Sequence, residues 1–307
     1  MIVVFFIVSW KRAKSNAFIS LHNTNSHFSG ILLCIFPILL YNRENCQNEV
    51  MTMPANFAHY RFGKLALPTL PASARQCIGR FRRMYDIGLH GPDILFYYNP
   101  IMETPVAQLG HSYHTWSGQK FFEQACKQAD SEAARAYLYG LLGHYCLDSL
   151  CHPYVNQLVD IGEVRHIALE SQLERRLLLA DGEASPATFD MSKRLKLTRG
   201  ECMTVAQFYP PATGANINRS MKLMRLCTHF LASPKRAQRE KLLGRVKPEL
   251  CDIFIPEAEN EDMSLYVDEL VELYGQALER FPRMVEELLA HMKDGSPLGE
   301  DFAPTFG

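Results

Sequence analysis

Residues 138–154 read LYGLLGHYCLDSLCHPY, and this stretch decides how the rest of the chain is read. As a helix it puts His144, Asp148 and His152 on one stripe, each four residues from the next. Four residues is slightly more than one turn, so the three side chains stand above one another on one face. The positions between them, Tyr145, Leu147 and Leu150, are apolar, as are Leu141 and Leu142 just before. Three metal-capable groups on an otherwise apolar helix carry a desolvation cost that something must offset. A divalent cation does this well, so the remaining chain is read for further ligands.

The chain has 307 residues, 47% of them hydrophobic and 21% charged, with a formal net charge of −1. That composition suits a globular protein with a sizeable core and gives no sign of one built to coat nucleic acid. The nine cysteines are odd in number and scattered, with no CxxC pair. A disulfide framework does not fit such spacing, and the expected location is cytoplasmic, in a reduced compartment. Cys146 and Cys151 read as small buried hydrophobes inside the central helix.

Residues 1–50 differ from the rest. Two apolar runs, residues 1–10 and 31–41, are both short of the roughly 20 residues a membrane span needs. The basic cluster Lys11, Arg12 and Lys14 follows the first run instead of preceding it, and no small-residue cleavage site follows either run. The favoured expectation is a leader, residues 1–52, that is disordered or belongs upstream of a true start at Met51 or Met53. The alternative is a membrane-targeting extension. Residues 53–307 are expected to form one domain.

From residue 53 onward helical patterning dominates. Helices are expected over residues 54–67, 72–85, 121–129, 131–154, 159–180, 216–232, 234–244 and 262–293, the last with a kink or break at Pro282. Residues 192–214 are turn-rich, and the tail after Gly295 reads as loop. Arg75, Arg80, Arg82 and Arg83 form a basic helix face, expected to be solvated surface. Gly88, Gly91 and Pro92 make a tight loop presenting His90 and Asp93. The run Phe96, Tyr97, Tyr98 reads as core or the wall of a cleft. Strand signals are almost absent, so the fold class is all-α, a single multi-helical domain.

Seven of the eleven histidines fall between residues 59 and 166: His59, His90, His111, His114, His144, His152 and His166. Asp93, Asp148 and Glu170 join them. His144/Asp148 and His166/Glu170 are both pairs at i, i+4 spacing. Imidazole and carboxylate together suit zinc, and the lack of paired thiolates argues against a Cys₄ site or an iron–sulfur cluster. The candidates outnumber the ligands of one tetrahedral ion, so two or three ions are expected, with Asp148 able to bridge. Adjacent divalent ions lower the pKa of a bound water and offset charge on a phosphoryl group, which points to phosphate ester hydrolysis. A carboxylate beside that water takes its proton.

The stretches MPANFAHYRFG (53–63), DIGLHGPDILFYYNP (86–100), LGHSYHTWSG (109–118), GHYCLDSLCHPY (143–154) and RHIALE (165–170) carry a resemblance. The chain resembles the bacterial zinc-dependent phospholipase C family, the phospholipase C/D domain. That resemblance implies an all-helical fold with three zinc ions. It implies that Asp93, His114, His144 and Asp148 surround one ion and that His152, His166 and Glu170 hold a second. Asp148 bridges to a third, which His59 binds. It favours His114 over His111 as the ligand, and makes Asp93 and Asp148 the catalytic carboxylates, Asp93 as general base.

Two departures from the family pattern stand out. Secreted members bring the free amino group of a tryptophan to the third zinc, and no tryptophan lies near His59 here. Only removal of residues 1–53 puts an amine, that of Pro54, within reach. The gap from Asp148 to His152 is also shorter, with Pro153 just beyond. Either two or three zinc ions are therefore expected.

The expected function is a zinc-dependent phosphodiester hydrolase of the phospholipase C type. It cleaves phospholipid head groups at peripheral membrane contact, with no nucleic-acid partner. Two alternatives stand: a metal-stabilised helical module without phospholipase activity, and a zinc nuclease using Tyr97, Tyr98, Tyr113 and Trp116 to stack bases. In the resemblance the C-terminal third contributes only helix.

Overall fold

The computed structural model describes residues 55–100, 103–232, 235–246 and 248–307. The leader, the candidate starts Met51 and Met53, and the Pro54 amine lie outside the described residues. Among the described residues the fold is all helix, with a single isolated bridge between Ser117 and Thr305. No helix there is long and apolar enough to cross a membrane.

The centre of the fold is helix α6 (Glu132–Asp160). Before it come α1 (Asn56–Ala66), α2 (Ala72–Arg80), α3 (Arg82–Gly88), a 3-10 run (Gly91–Tyr98), α4 (Pro105–His114) and α5 (Gly118–Ala125). After it come α7 (His166–Ala180), α8 (Arg199–Ala206), α9 (Gly214–Ala232), α10 (Arg236–Val246) and α11 (Ser264–Asp294). Every residue from 136 to 149 is buried, so the helix is enclosed on all sides, as a helix with apolar residues all round must be. It packs against α1, α2, α3, α7, α8, α11 and the 3-10 run. Its start is set locally: the Ser131 hydroxyl accepts the Ala134 N–H at 3.2 Å.

One contact within this packing aims the loop that carries Asp93. Helices α3 and α6 touch backbone to backbone through glycines. A Cβ on Gly140 would stand 2.1 Å from the Tyr85 carbonyl oxygen, and one on Gly88 would stand 2.3 Å from the Tyr137 oxygen. Only two glycines permit that approach, and it brings the segment after α3 directly onto the His144 level of α6.

Several expected boundaries move. The single helix expected over 72–85 is two, because Phe81 leaves helical geometry at φ −124° and ψ 42°. The helix expected over 131–154 continues through Pro153 to Asp160. The one expected from 159 begins at His166 instead. Gly162, at φ 78°, ends α6, with its N–H on the Val159 carbonyl (3.0 Å) and the Glu163 N–H on Leu158 (3.0 Å). A left-handed glycine is the usual helix stop. Helix α11 runs unbroken through Pro282, whose neighbours Phe281, Met284 and Val285 are all buried. The turn-rich stretch 192–214 contains α8, started by a capping box between Thr198 and Glu201. Arg80, Arg82 and Arg83 pair with Glu132 (2.9 Å), Asp86 (2.6 Å) and Glu201 (2.9 Å). Cys146 and Cys151 are buried among apolar groups.

Candidate metal centre

Five elements deliver the candidate ligands. His144, Asp148 and His152 come from α6, His59 from the second turn of α1, Asp93 from the 3-10 run, His114 from the last residue of α4, and His166 with Glu170 from the first turns of α7. Asp148 sits between two sets of groups. Its Oδ2 lies 3.0 Å from His144 Nε2, while Oδ1 lies 3.3 Å from His59 Nε2 and 4.0 Å from His152 Nε2. Asp93 Oδ1 is 3.0 Å from His114 Nε2 and 4.0 Å from His144 Nε2. Beyond His152, Glu170 Oε1 is 3.6 Å from His152 Nε2 and 2.9 Å from His166 Nε2. Potential ligand atoms of His59, Asp93, His144 and Asp148 all lie within 4.8 Å of one another, and so do those of His152, His166 and Glu170.

The donor geometry fits a cation better than a hydrogen-bond network. His144 is fully buried, yet neither ring nitrogen has a hydrogen-bond partner, although Asp148 Oδ2 stands 3.0 Å from one of them. The two groups converge side by side without a hydrogen bond between them, as ligands of a shared ion do. Glu170 Oε2 and His59 Nδ1 are also buried without a partner. Buried polar groups are normally satisfied, and a zinc ion satisfies such an N/O set.

The electrostatics point the same way. Burial pushes the His144 imidazole down to about 4, against the pull of Asp148 and Asp93, so near neutral pH it is uncharged and keeps a lone pair to donate. Burial also works against a charged His152, but Asp148 and Glu170 overcome it and raise that imidazole to about 9. Burial opposes ionised Asp148 too, yet the surrounding histidines, His144 first, hold its carboxyl well below the usual range. Asp148 is therefore a fixed anion between two sets of imidazoles.

Supporting contacts orient several of these rings. His114 Nδ1 bonds the Gly110 carbonyl at 2.8 Å, which leaves Nε2 toward Asp93. A backbone carbonyl on the far nitrogen is the common way a ligating histidine is fixed. His111, three residues earlier, is exposed and lies against the Phe96 ring, 4.5 Å between centroids. His90 is buried, and desolvation lowers it to about 3. Gly91 takes the left-handed conformation at φ +51°, and a Cβ there would stand 2.1 Å from His144 Cδ2.

The model of the family described as zinc dependent phospholipase C matches residues 58–209. That stretch belongs to the family. All eight candidate metal ligands lie inside the matched stretch. No curated protein and no solved structure matches the chain.

Relative to the family arrangement expected from sequence, the structure brings seven of the eight candidates into two adjacent clusters, with His114 beside the first through Asp93 at 3.0 Å. His59 joins the Asp93–His144–Asp148 group directly, on the Oδ1 side of Asp148. Three neighbours of the family motif had no assigned role. Glu174 continues the His166–Glu170 stripe, but its Oε1 accepts the backbone N–H groups of Phe57 and Ala58, the latter at 3.2 Å. It thereby caps α1, which has no side-chain cap of its own. Phe306 and Gly307 return from the end of the described chain to pack on the histidines. Local spacing gives no signal for a contact of that sequence separation. The expectation that the C-terminal third adds only helix is thus corrected.

Proposed function

We propose that this chain is a zinc-dependent phosphodiesterase that cleaves phospholipids on the glycerol side of the phosphate. The observation that carries the proposal is Asp148, buried and anionic, with one oxygen toward His144 and the other toward His59 and His152. Asp148 and the seven other candidate ligands around it fit two or three zinc ions. Bound zinc lowers the pKa of water and offsets the charge on a phosphoryl group.

The chain's own residues then have distinct tasks. His114, fixed by the Gly110 carbonyl, turns its Nε2 toward the metal position beside the Asp93 carboxylate, 3.0 Å away. Asp93 receives a proton at its carboxylate oxygen as general base. His144 stays neutral because it is buried, so it donates a lone pair instead of repelling a cation. Asp148 ties the clusters together and fixes their spacing. Cytoplasmic location is part of the same proposal and rests on the scattered cysteines.

The nuclease reading has less support. Of the four aromatic residues it needs, Tyr97 and Tyr113 are buried in the core, and the Trp116 face is covered by the Lys120 ammonium at 3.7 Å.

The test is turnover of phosphatidylcholine vesicles by the zinc-loaded chain, read as diacylglycerol release, beside single-stranded DNA and the Asp148→Asn variant. The expected result is lipid cleavage that Asp148→Asn abolishes together with bound zinc. Zinc binding with no turnover of either substrate would leave a metal-stabilised module, and DNA cleavage alone would favour the nuclease.

A further inference from the structure

The structure assigns residues 301–307 to the metal centre: Phe306 holds the rings of His114 and His144, and the backbone of Gly307 holds the ring of His152. This assignment rests on the zinc reading above and extends it beyond the stretch that the family model matches.

The segment is built into the fold. The Asp301 carboxylate pairs with Arg280 at 3.4 Å and with Arg283. The Tyr145 hydroxyl, one residue from His144, donates to the main-chain oxygens of Asp301 (3.1 Å) and Pro304 (3.0 Å). The Gly118 N–H bonds the same Pro304 carbonyl at 2.8 Å, and Thr305 bridges Ser117. These contacts pin the chain just before Phe306.

Phe306 is fully buried. Its ring lies 5.9 Å from that of His114 and 6.0 Å from that of His144, with Tyr145 (4.9 Å) and Phe121 (5.1 Å) behind it. It is therefore an apolar wall shared by two candidate ligands from different helices, α4 and α6. Neither ring can turn away from Asp93 in that direction without displacing a packed phenylalanine, and interiors resist such displacement.

Gly307 meets the other cluster. A Cβ there would stand 2.0 Å from His152 Nδ1, where real contacts are essentially never under 3.0 Å. About 1 Å must be given up by either the imidazole or the chain. Zinc–ligand distances tolerate only about 0.2 Å. The lack of a side chain at residue 307 is thus what lets the segment close against His152 while its Nε2 stays on the Asp148 and Glu170 side. Both are positioning residues: they touch the ligands, not the substrate.

The experiment uses the full chain and zinc alone as probe. Zinc per chain after dialysis, zinc affinity by chelator competition, and the unfolding midpoint of the metal-free protein are compared for wild type, Gly307→Ala and Phe306→Leu. Gly307→Ala is expected to leave the metal-free midpoint unchanged and to weaken zinc binding at least tenfold, with loss of the ion at His152, His166 and Glu170. Phe306→Leu keeps apolar bulk but removes the flat ring. It is expected to weaken zinc binding tenfold beyond any change in the metal-free midpoint. Wild-type zinc affinity in both variants overturns the assignment, as does a loss of affinity that only parallels a loss of metal-free stability. A wild-type chain that retains no zinc overturns the zinc reading itself, and this assignment with it.

Discussion

Glu174→Gln in the metal-free chain tests how this centre is held together without its ion. The Glu174 side chain is buried, and both of its bonds to α1 land on one oxygen, Oε1, which accepts the N–H groups of Phe57 and Ala58. Glutamine keeps that acceptor and removes the ionisable proton. Burial raises the Glu174 carboxyl from 4.5 to about 7. The two N–H bonds oppose that rise, Glu170 adds to it, and His59 opposes it. A carboxyl raised by folding binds its proton more tightly in the native state than in the unfolded one. Its contribution to stability is therefore complete below pH 4.5 and is lost as pH rises through 7. At about 1.4 kcal/mol per pH unit, the whole range is worth about 3 kcal/mol. Urea unfolding in chelator, followed by circular dichroism from pH 5 to pH 8, reads it directly. Relative to wild type, Glu174→Gln should gain about 3 kcal/mol across that range and then level off. Parallel profiles would refute the buried, raised carboxyl. Glu174→Ala separates the capping role. It leaves two buried donors without an acceptor, at about 1–3 kcal/mol each, and should lower the midpoint by about 5–15 °C at every pH.

Two further outcomes are expected at the ligands. His114→Ala should lose zinc from the Asp93 side and drop hydrolysis at least a hundredfold, while His111→Ala, at an exposed ring on Phe96, should change either by less than threefold; zinc counting with vesicle turnover checks both, and the reverse order would exchange their roles. Gly91→Ala combines a left-handed backbone cost of about 1–2 kcal/mol with a Cβ 2.1 Å from His144 Cδ2; it should lower metal-free stability by at least that amount and weaken zinc binding, and unchanged zinc affinity would show that His144 tolerates the shift.

How much was legible beforehand depends on the range of the interaction. His144 with Asp148 and His166 with Glu170 are neighbours because a helix repeats every 3.6 residues, and any reader of the chain can place them. The all-helical class followed from the same periodicity. The helix ends at Phe81 and at Gly162 were harder. The first breaks a good amphipathic pattern, and the second depends on a glycine whose positive φ is decided by the turn around it. The continuation of α6 through Pro153 was hidden as well, since proline normally argues for a stop.

Within the centre, the donor types and their helical spacing are properties of the sequence alone: they called for a zinc site around Asp148, and the family match agrees on the metal. Which candidate ligands meet was decided by tertiary packing. The Gly88–Gly140 contact brings Asp93 onto α6. The Gly110 carbonyl and the approach of Asp93 separate His114 from the exposed His111, two residues that spacing treats alike. Tyr145 reaches Pro304 across 159 residues of sequence and draws Phe306 and Gly307 onto three histidines. Periodicity acts over a turn or two of helix, so it can nominate ligands. Bringing them to a common point requires the burial of whole apolar faces against one another, and no local pattern encodes that.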